Sequence, residues 1–393
     1  MLIGWMYNGH DTYYPEYNAI PDLGGDKALV AAIDQAHAAG ASVTAYVNGR
    51  LNNIETETYK KFGKRWAVLG MAPRLGVGTI DFYELHEDWN KQWERAKRGE
   101  GWYSVMCPSA KGWQDFIVGQ VLHVVRDYHF DGVFLDQPGS YYAELCYNKT
   151  HGHTTPATAW GPGYLEIFRR IRAEARKINP EFTIYTEGMN DAYGEFLDYH
   201  TDKNPLWEPM RTHPEMETFV EMWRYTVPAY VTSNGPNGYT YPPSRDATYG
   251  DYYRFVMGIR GIGRSGGRGA ANPARDAVVS KIERLWTKGG EFLFYGRFMD
   301  NVGLAVSSPA MFAKVYQADA GIAVPVWNVT AEDAKGSLTI DLNALGLAEA
   351  APAGAASLDT GSSLEMKTQG GRLVVPVALK PHDADVIVFR KAK

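Results

Sequence analysis

The chain has 393 residues, 45% of them hydrophobic and 22% charged, with a formal net charge of −5. That is chain enough for a large core plus a second domain, and it excludes a fibrous or intrinsically disordered protein. The acidic balance and the lack of a lysine/arginine block argue against a nucleic-acid partner, and no apolar run is long enough to suggest a membrane span.

Leu2–Met6 reads as a buried strand. Asp26–Ala39 follows as a helix with Leu29, Val30, Ile33 and Ala36 on one face and Gly40 as its stop. Ser42–Val47 is the second strand, residues 51–101 form a polar, aromatic insertion, and Trp102–Met106 is a third short strand. Ser109 caps a helix to Tyr128 that turns Phe116, Ile117, Val121, Leu122 and Val125 inward. Asp131–Asp136 (DGVFLD) is the clearest strand; Pro162–Ile178 is an amphipathic helix and Phe182–Thr186 the fifth strand. Phe196–Tyr199 and Tyr230–Ser233 are the expected sixth and seventh strands, Asp246–Ile259 a helix, and Gly261–Arg264 the region of an eighth strand. After a helix over Ala274–Lys288 the pattern changes to short strands at Glu291–Tyr295, Gly303–Val306, Ala323–Val329, Ser337–Leu342, Leu373–Leu379 and Asp385–Phe389, with Ala350–Ala356 as a small-residue connector.

Repeated strand–helix units with apolar strands predict an α/β fold, a (β/α)8 TIM barrel over residues 1–290 followed by a small antiparallel β-sandwich over residues 291–393. A doubly wound open sheet is the alternative, weakened by the lack of GxGxxG after the first strand.

Active sites of such barrels lie at the C-terminal ends of the strands. Polar residues recur there: His10 and Asp11 after the first strand, Asn48 and Arg50 after the second, Asp136 and Gln137 after the fourth, Glu187 and Asp191 after the fifth. An all-capping set would favour Ser, Thr and Asp over Arg, Glu and His. Asp136 is held at the rim by the apolar Val133–Leu135 run, and Pro138-Gly139 stops any immediate helix. Glu187 repeats that grammar one helix and one strand later, so the two carboxyls can share a cleft. Glycosidic cleavage needs such a pair, one to protonate the leaving oxygen and one to attack. Asp198, preceded by Phe196-Leu197, competes with Glu187 for the acid role. Trp5, Tyr7, Tyr141 and Trp207 are candidate stacking platforms, and His10, Asp11, Asn48, Arg50, Gln137, His151, His153 and Asp191 candidate hydroxyl binders.

No metal and no cofactor is expected. Cys146, His151 and His153 lie near one another, yet the local spacing lacks the set a zinc site requires. Two cysteines, Cys107 and Cys146, make no disulfide framework, and Gly258–Gly269 lacks the Lys-Ser/Thr of a phosphate loop. Three readings stand: a retaining glycosidase, a silent carbohydrate-binding barrel, and a metal-dependent hydrolase using His151, His153 and Asp136. The leading MLIGWMYNGHD lacks the parts of a secretory leader. The expectation is therefore cytoplasmic as written, and secreted or periplasmic if the N-terminus is truncated.

The segments GWMYNGHDTYYPEY, AYVNGRL, MCPSAKGWQ, DGVFLDQPG, CYNKTHGH and YTEGMNDAYGEFLDYH carry a resemblance. Over roughly residues 3–265 the chain resembles an incompletely characterised family of bacterial glycoside-hydrolase-like barrels related to retaining α-glycosidase clans. The resemblance implies a TIM barrel with a C-terminal β-sandwich and an oligo- or polysaccharide substrate. It also implies a strand-four aspartate as nucleophile, here Asp136, with the acid after strand five (Glu187) or strand six (Asp198). Relatives usually carry a β-rich region before the barrel, whereas this sequence starts almost directly in the first strand, as either a minimal or a truncated version would.

Overall fold

Apolar runs bounded by turn residues become strands and helices in alternation along the first part of the chain. The computed structural model describes residues 1–7, 9–10, 13–70, 103–140, 143–201, 216–233, 247–260, 273–348 and 352–391. Two units divide the chain, Met1–Pro205 and Leu206–Lys393.

In the first unit helix α1 (Gly25–Ala38) leads to β1 (Thr44–Asn48). Strands β2 (Leu51–Asn53) and β3 (Tyr103–Val105) come next. Helix α2 (Lys111–Tyr128) leads to β4 (Gly132–Asp136), and α3 (Gly161–Ile178) to β5 (Thr183–Thr186) and then β6 (Tyr199–Thr201). Among the described residues of this unit, β1, β4, β5 and β6 form a parallel sheet in that order. The helical periodicity of α2 buries Ile117, Val121, Val124 and Val125, and that of α3 buries Tyr164, Ile167, Phe168 and Ile171. Both stripes join Val133, Leu135 and Ile184 of the sheet in one core. Gly132 has no room for a side chain: a Cβ there would stand 2.1 Å from Thr183 Oγ1 and 2.9 Å from Thr44 Cγ2.

The first and third of the expected strands turn out differently. Leu2–Met6 contributes isolated bridges, Leu2 to Ala45 and Met6 to Ala19, in place of a continuous strand. The third strand does not join the parallel sheet; β3 pairs antiparallel with β2, and β1 lies directly beside β4. The cause is local: Asn48 Oδ1 accepts the N–H groups of Arg50 (3.0 Å) and Leu51 (2.9 Å), which turns the chain at the end of β1.

The second unit contains α4 (Met216–Thr226), the short β7 (Thr232–Ser233), α5 (Ala247–Met257) and α6 (Pro273–Leu293). Helix α6 outruns the expected end at Lys288, because Phe292 and Leu293 lie buried on its inner face, so the strand anticipated at Glu291–Tyr295 begins as helix. The tail then forms two antiparallel sheets. One holds β8 (Arg297–Asp300), β10 (Met311–Ala313), β11 (Val315–Ala318), β12 (Gly321–Asn328), β14 (Pro352–Ser357), β15 (Ser363–Leu364) and β18 (Ala384–Lys391). The other holds β9 (Leu304–Val306), β13 (Ala334–Asp341), β16 (Lys367–Gln369) and β17 (Arg372–Leu379). Val324, Val326, Ile387 and Phe389 of the first meet Leu338, Ile340, Leu373 and Val375 of the second, the alternating inward residues of a sandwich. The expected connector Ala350–Ala356 is largely strand: Ala355 and Ala356 register against Phe389 and Val388 of β18. No described helix is long and apolar enough to cross a membrane.

Candidate active site

The register of the parallel sheet builds two layers on one face. Tyr46 pairs with Phe134, Phe134 with Tyr185, and Tyr185 with Tyr199. Alternation puts the residue two further along each strand on the same face. The aromatic layer is continuous, with ring centroids 5.9 Å apart for Tyr46 and Phe134, 5.1 Å for Phe134 and Tyr185, and 3.9 Å for Tyr185 and Tyr199. Above it Asn48 registers with Asp136, and one step beyond the Leu135–Thr186 and Thr186–His200 pairs come Glu187 and Thr201. A polar row of Asn48, Asp136, Glu187 and Thr201 therefore stands on an aromatic floor, with neighbouring backbones about 4.8 Å apart.

Each carboxyl is held. Tyr46 donates its hydroxyl to Asp136 Oδ2 at 2.6 Å and receives that of Tyr14 at 2.9 Å. Asn48 Nδ2 approaches the same oxygen at 3.4 Å, oriented because its own oxygen is committed to the turn after β1. Donors converging on one oxygen suit an acceptor-only carboxylate, and the tyrosine chain polarises toward it. Gln137 follows at φ 77°, a left-handed conformation unusual for a side-chain-bearing residue, and its buried amide oxygen has no hydrogen-bond partner among the described residues. On the neighbouring strand Glu187, 4% exposed, accepts the hydroxyl of Ser140. Gly139 lets that turn approach: a Cβ there would lie 2.5 Å from the Glu187 carbonyl oxygen. Gly188 N–H donates to Thr201 Oγ1 at 2.7 Å, fixing the far end of the row.

Other predicted residues divide. Arg50 is buried, bonded to Glu144 at 3.1 Å, with its guanidinium 5.8 Å from the Trp160 ring centre. His10 is exposed and its ring lies 4.7 Å from that of Tyr46, one residue removed from Asp136. Tyr7 is exposed against Tyr13, and Asp191 is exposed in the turn after β5. Trp5 is not an open platform: it is buried, donates its indole N–H to the Tyr46 carbonyl at 3.1 Å, and packs on Tyr17, Tyr128 and Phe130.

Asp198 does not join the carboxylate row. Strand β6 starts at Tyr199, three residues after the expected Phe196, so Asp198 precedes it, at the opposite end of the sheet. There it accepts the Ile184 N–H at 2.7 Å and pairs with Arg176 at 2.7 Å. Asp131 does the same kind of work, accepting the Val43 N–H at 2.7 Å and meeting His37 at 2.8 Å. His151 and His153 gather with Cys146 and Cys107 instead of the carboxyls. Asp11, Tyr141 and Trp207 lie outside the described residues.

Sequence reasoning missed Tyr46, Ser140, Thr201 and the aromatic floor. The signal is nonetheless present: an aromatic residue two places before a polar one ends each parallel strand, as Tyr46/Asn48, Phe134/Asp136, Tyr185/Glu187 and Tyr199/Thr201. His200, buried in β6, has its pKa pushed down to about 4 by burial, with the charge of Asp191 opposing that shift.

Residues 1–239 match the family described as "Domain of unknown function (DUF6259)". Among curated proteins, the chain is 28% identical over 195 residues to a "Putative glycoside hydrolase" of Bacteroides thetaiotaomicron, covering 49% of this chain and 26% of that protein. It is 23% identical over 185 residues to "Putative glycoside hydrolase 22789" of Monosiga brevicollis, covering 47% of this chain and 14% of that one. The chain thus spans about a quarter or less of the length of these relatives. In structure it is similar to an alpha-amylase from H. orenii, with TM-score 0.58 and 10% identity over 100% of this chain and 89% of that one. A GH36 alpha-galactosidase from Geobacillus stearothermophilus gives TM-score 0.60 and 11% identity over 99% of this chain and 50% of that one. These two likenesses concern the fold.

Proposed function

The chain belongs to the DUF6259 family, and we propose that it is a glycoside hydrolase acting on an oligo- or polysaccharide by a retaining, two-carboxylate mechanism. The observation that carries this reading is the row in which Asp136 and Glu187 leave adjacent strand ends level with each other and on one face. Names of the curated relatives support the same reaction class. The reading includes closure of the parallel strands into a (β/α)8 barrel over residues 1–290, followed by a sandwich over 291–393; likeness to the amylase fold supports that architecture.

In this mechanism Asp136 attacks the anomeric carbon while Glu187 gives its proton to the departing oxygen. Glu187 then takes a proton from the water that releases the sugar. Tyr46 and Asn48 hold the nucleophile's orientation through Oδ2. The left-handed Gln137 and exposed His10 stand nearby to meet sugar hydroxyls.

A panel of aryl α- and β-glycosides, assayed on wild type, Asp136→Asn and Glu187→Gln, tests it, with product configuration read by NMR. Turnover with retention, abolished in Asp136→Asn, is the expected result. Inversion, or wild-type rates in Asp136→Asn, removes the mechanism; saturable sugar binding without turnover replaces it with a carbohydrate-binding role.

A further inference from the structure

Away from the carboxylate row, four side chains of the first unit converge with no part in the chemistry above. They are Cys107, just past β3, and Cys146, His151 and His153 from the loop between β4 and α3. One ligating atom from each lies within 4.8 Å of all the others. We propose that Cys107, Cys146, His151 and His153 bind one zinc ion in a closed, structural Cys2His2 site, independently of the glycosidase reading.

The geometry fits. Zinc at about 2.3 Å from sulfur and about 2.0–2.1 Å from nitrogen sets tetrahedral neighbours roughly 3.3–3.8 Å apart. Cys146 Sγ and His151 Nδ1 stand 3.4 Å apart, both buried. The other His151 nitrogen, Nε2, meets the Arg65 carbonyl oxygen at 2.7 Å. Donation to that carbonyl fixes the tautomer that leaves Nδ1 as a lone-pair donor, as ring N–H groups of metal-bound histidines do. His153 Nε2 is buried and has no hydrogen-bond partner among the described residues, a costly state for a ring nitrogen unless something else takes its lone pair. Cys107 and Cys146 are both buried and unbridged, so both sulfurs are available to one ion as thiolates.

Four protein ligands leave no open position for water, so the site holds structure. It fastens the loop after β4 to the segment after β3. That loop carries Glu144, two residues before Cys146, and Glu144 pairs with the buried Arg50 behind β1. The metal would thereby steady a side-chain pair near the carboxylate row without touching substrate.

The test is metal content of the purified full chain after zinc loading and removal of free metal, together with alkylation mass spectrometry of the two cysteines. The expected result is one zinc per chain, loss of zinc in Cys146→Ser and in His153→Gln, and cysteines that alkylate only after chelation. Cobalt should replace zinc and give the intense visible bands of tetrahedral thiolate coordination. His153→Gln alters the least buried ligand, so it reports on binding even if Cys146→Ser fails to fold. Wild-type protein that holds no zinc when loaded, or whose Cys107 and Cys146 are joined as a disulfide, overturns the proposal; so does full zinc stoichiometry in both variants.

Discussion

The carboxylate row and the cysteine–histidine cluster are both assembled by the first unit, but by different means. Asp136 ends one parallel strand and Glu187 lies one step past the next, so the sheet register alone brings them level. Cys107, Cys146, His151 and His153 come from irregular segments, and nothing in the local spacing of either part announces the other. Regular structure positions by repetition, whereas loops position only through the contacts that close them. The row should therefore tolerate loss of its charges with the fold intact, whereas the cluster should not tolerate loss of its ligands.

The sharpest way to break that contrast is Asp136→Asn. It removes a charge at the rim while keeping the shape, so kcat/KM should fall on the order of 10⁴-fold. Thermal unfolding should be little changed; a large drop in Tm alongside the lost activity would place Asp136 in the framework. Glu187→Gln should cost roughly 10²–10⁴-fold on natural glycosides, the usual worth of general acid–base help. Aryl glycosides with good leaving groups should lose far less in glycosylation, and azide should rescue the second step. Equal losses across leaving groups would remove Glu187 from the acid role.

Cys107→Ser is the counterpart on the other side of the comparison. It should lower stability on the order of 4 kcal/mol, as loss of a metal site does, while the dependence on leaving group stays that of wild type. Calorimetry beside the aryl-glycoside series measures both; unchanged stability in zinc-loaded protein would erase the distinction.

His200 offers a smaller, pH-dependent effect. Burial lowers its pKa to about 4 from an ordinary 6.5. Above pH 6.5 it is neutral in both states and costs nothing. As pH falls from 6.5 to about 4 the unfolded chain takes up a proton that the folded one refuses, so stability declines by on the order of 3 kcal/mol across that window. Urea midpoints against pH should show this slope in wild type and a flatter one in His200→Gln.

Smallest is Asp198→Asn, which weakens the tie to Arg176 and the Ile184 N–H. A stability loss of about 1–2 kcal/mol with unchanged kcat is expected, since the group is a partly exposed ion pair at the far end of the strands. A catalytic defect that varied with leaving group would return Asp198 to candidacy.

What the sequence by itself determined is whatever depends on local periodicity. The apolar runs at Thr44–Asn48, Gly132–Asp136 and Thr183–Thr186, the helices between them, the strand-rich tail, and Asp136 and Glu187 as rim acids could all be read directly. Tertiary structure decided the rest. A three-residue shift in the start of β6 turned Asp198 from a rim acid into an anchor, because side-chain direction and strand end depend on register that no local pattern fixes. Trp5 was absorbed into the core, since a flat ring serves packing as well as stacking. Cys107 met Cys146, His151 and His153 only because the fold returns the loop after β4 to the end of β3. Contacts between segments far apart in sequence leave no spacing to read, because their geometry is set by everything folded between them.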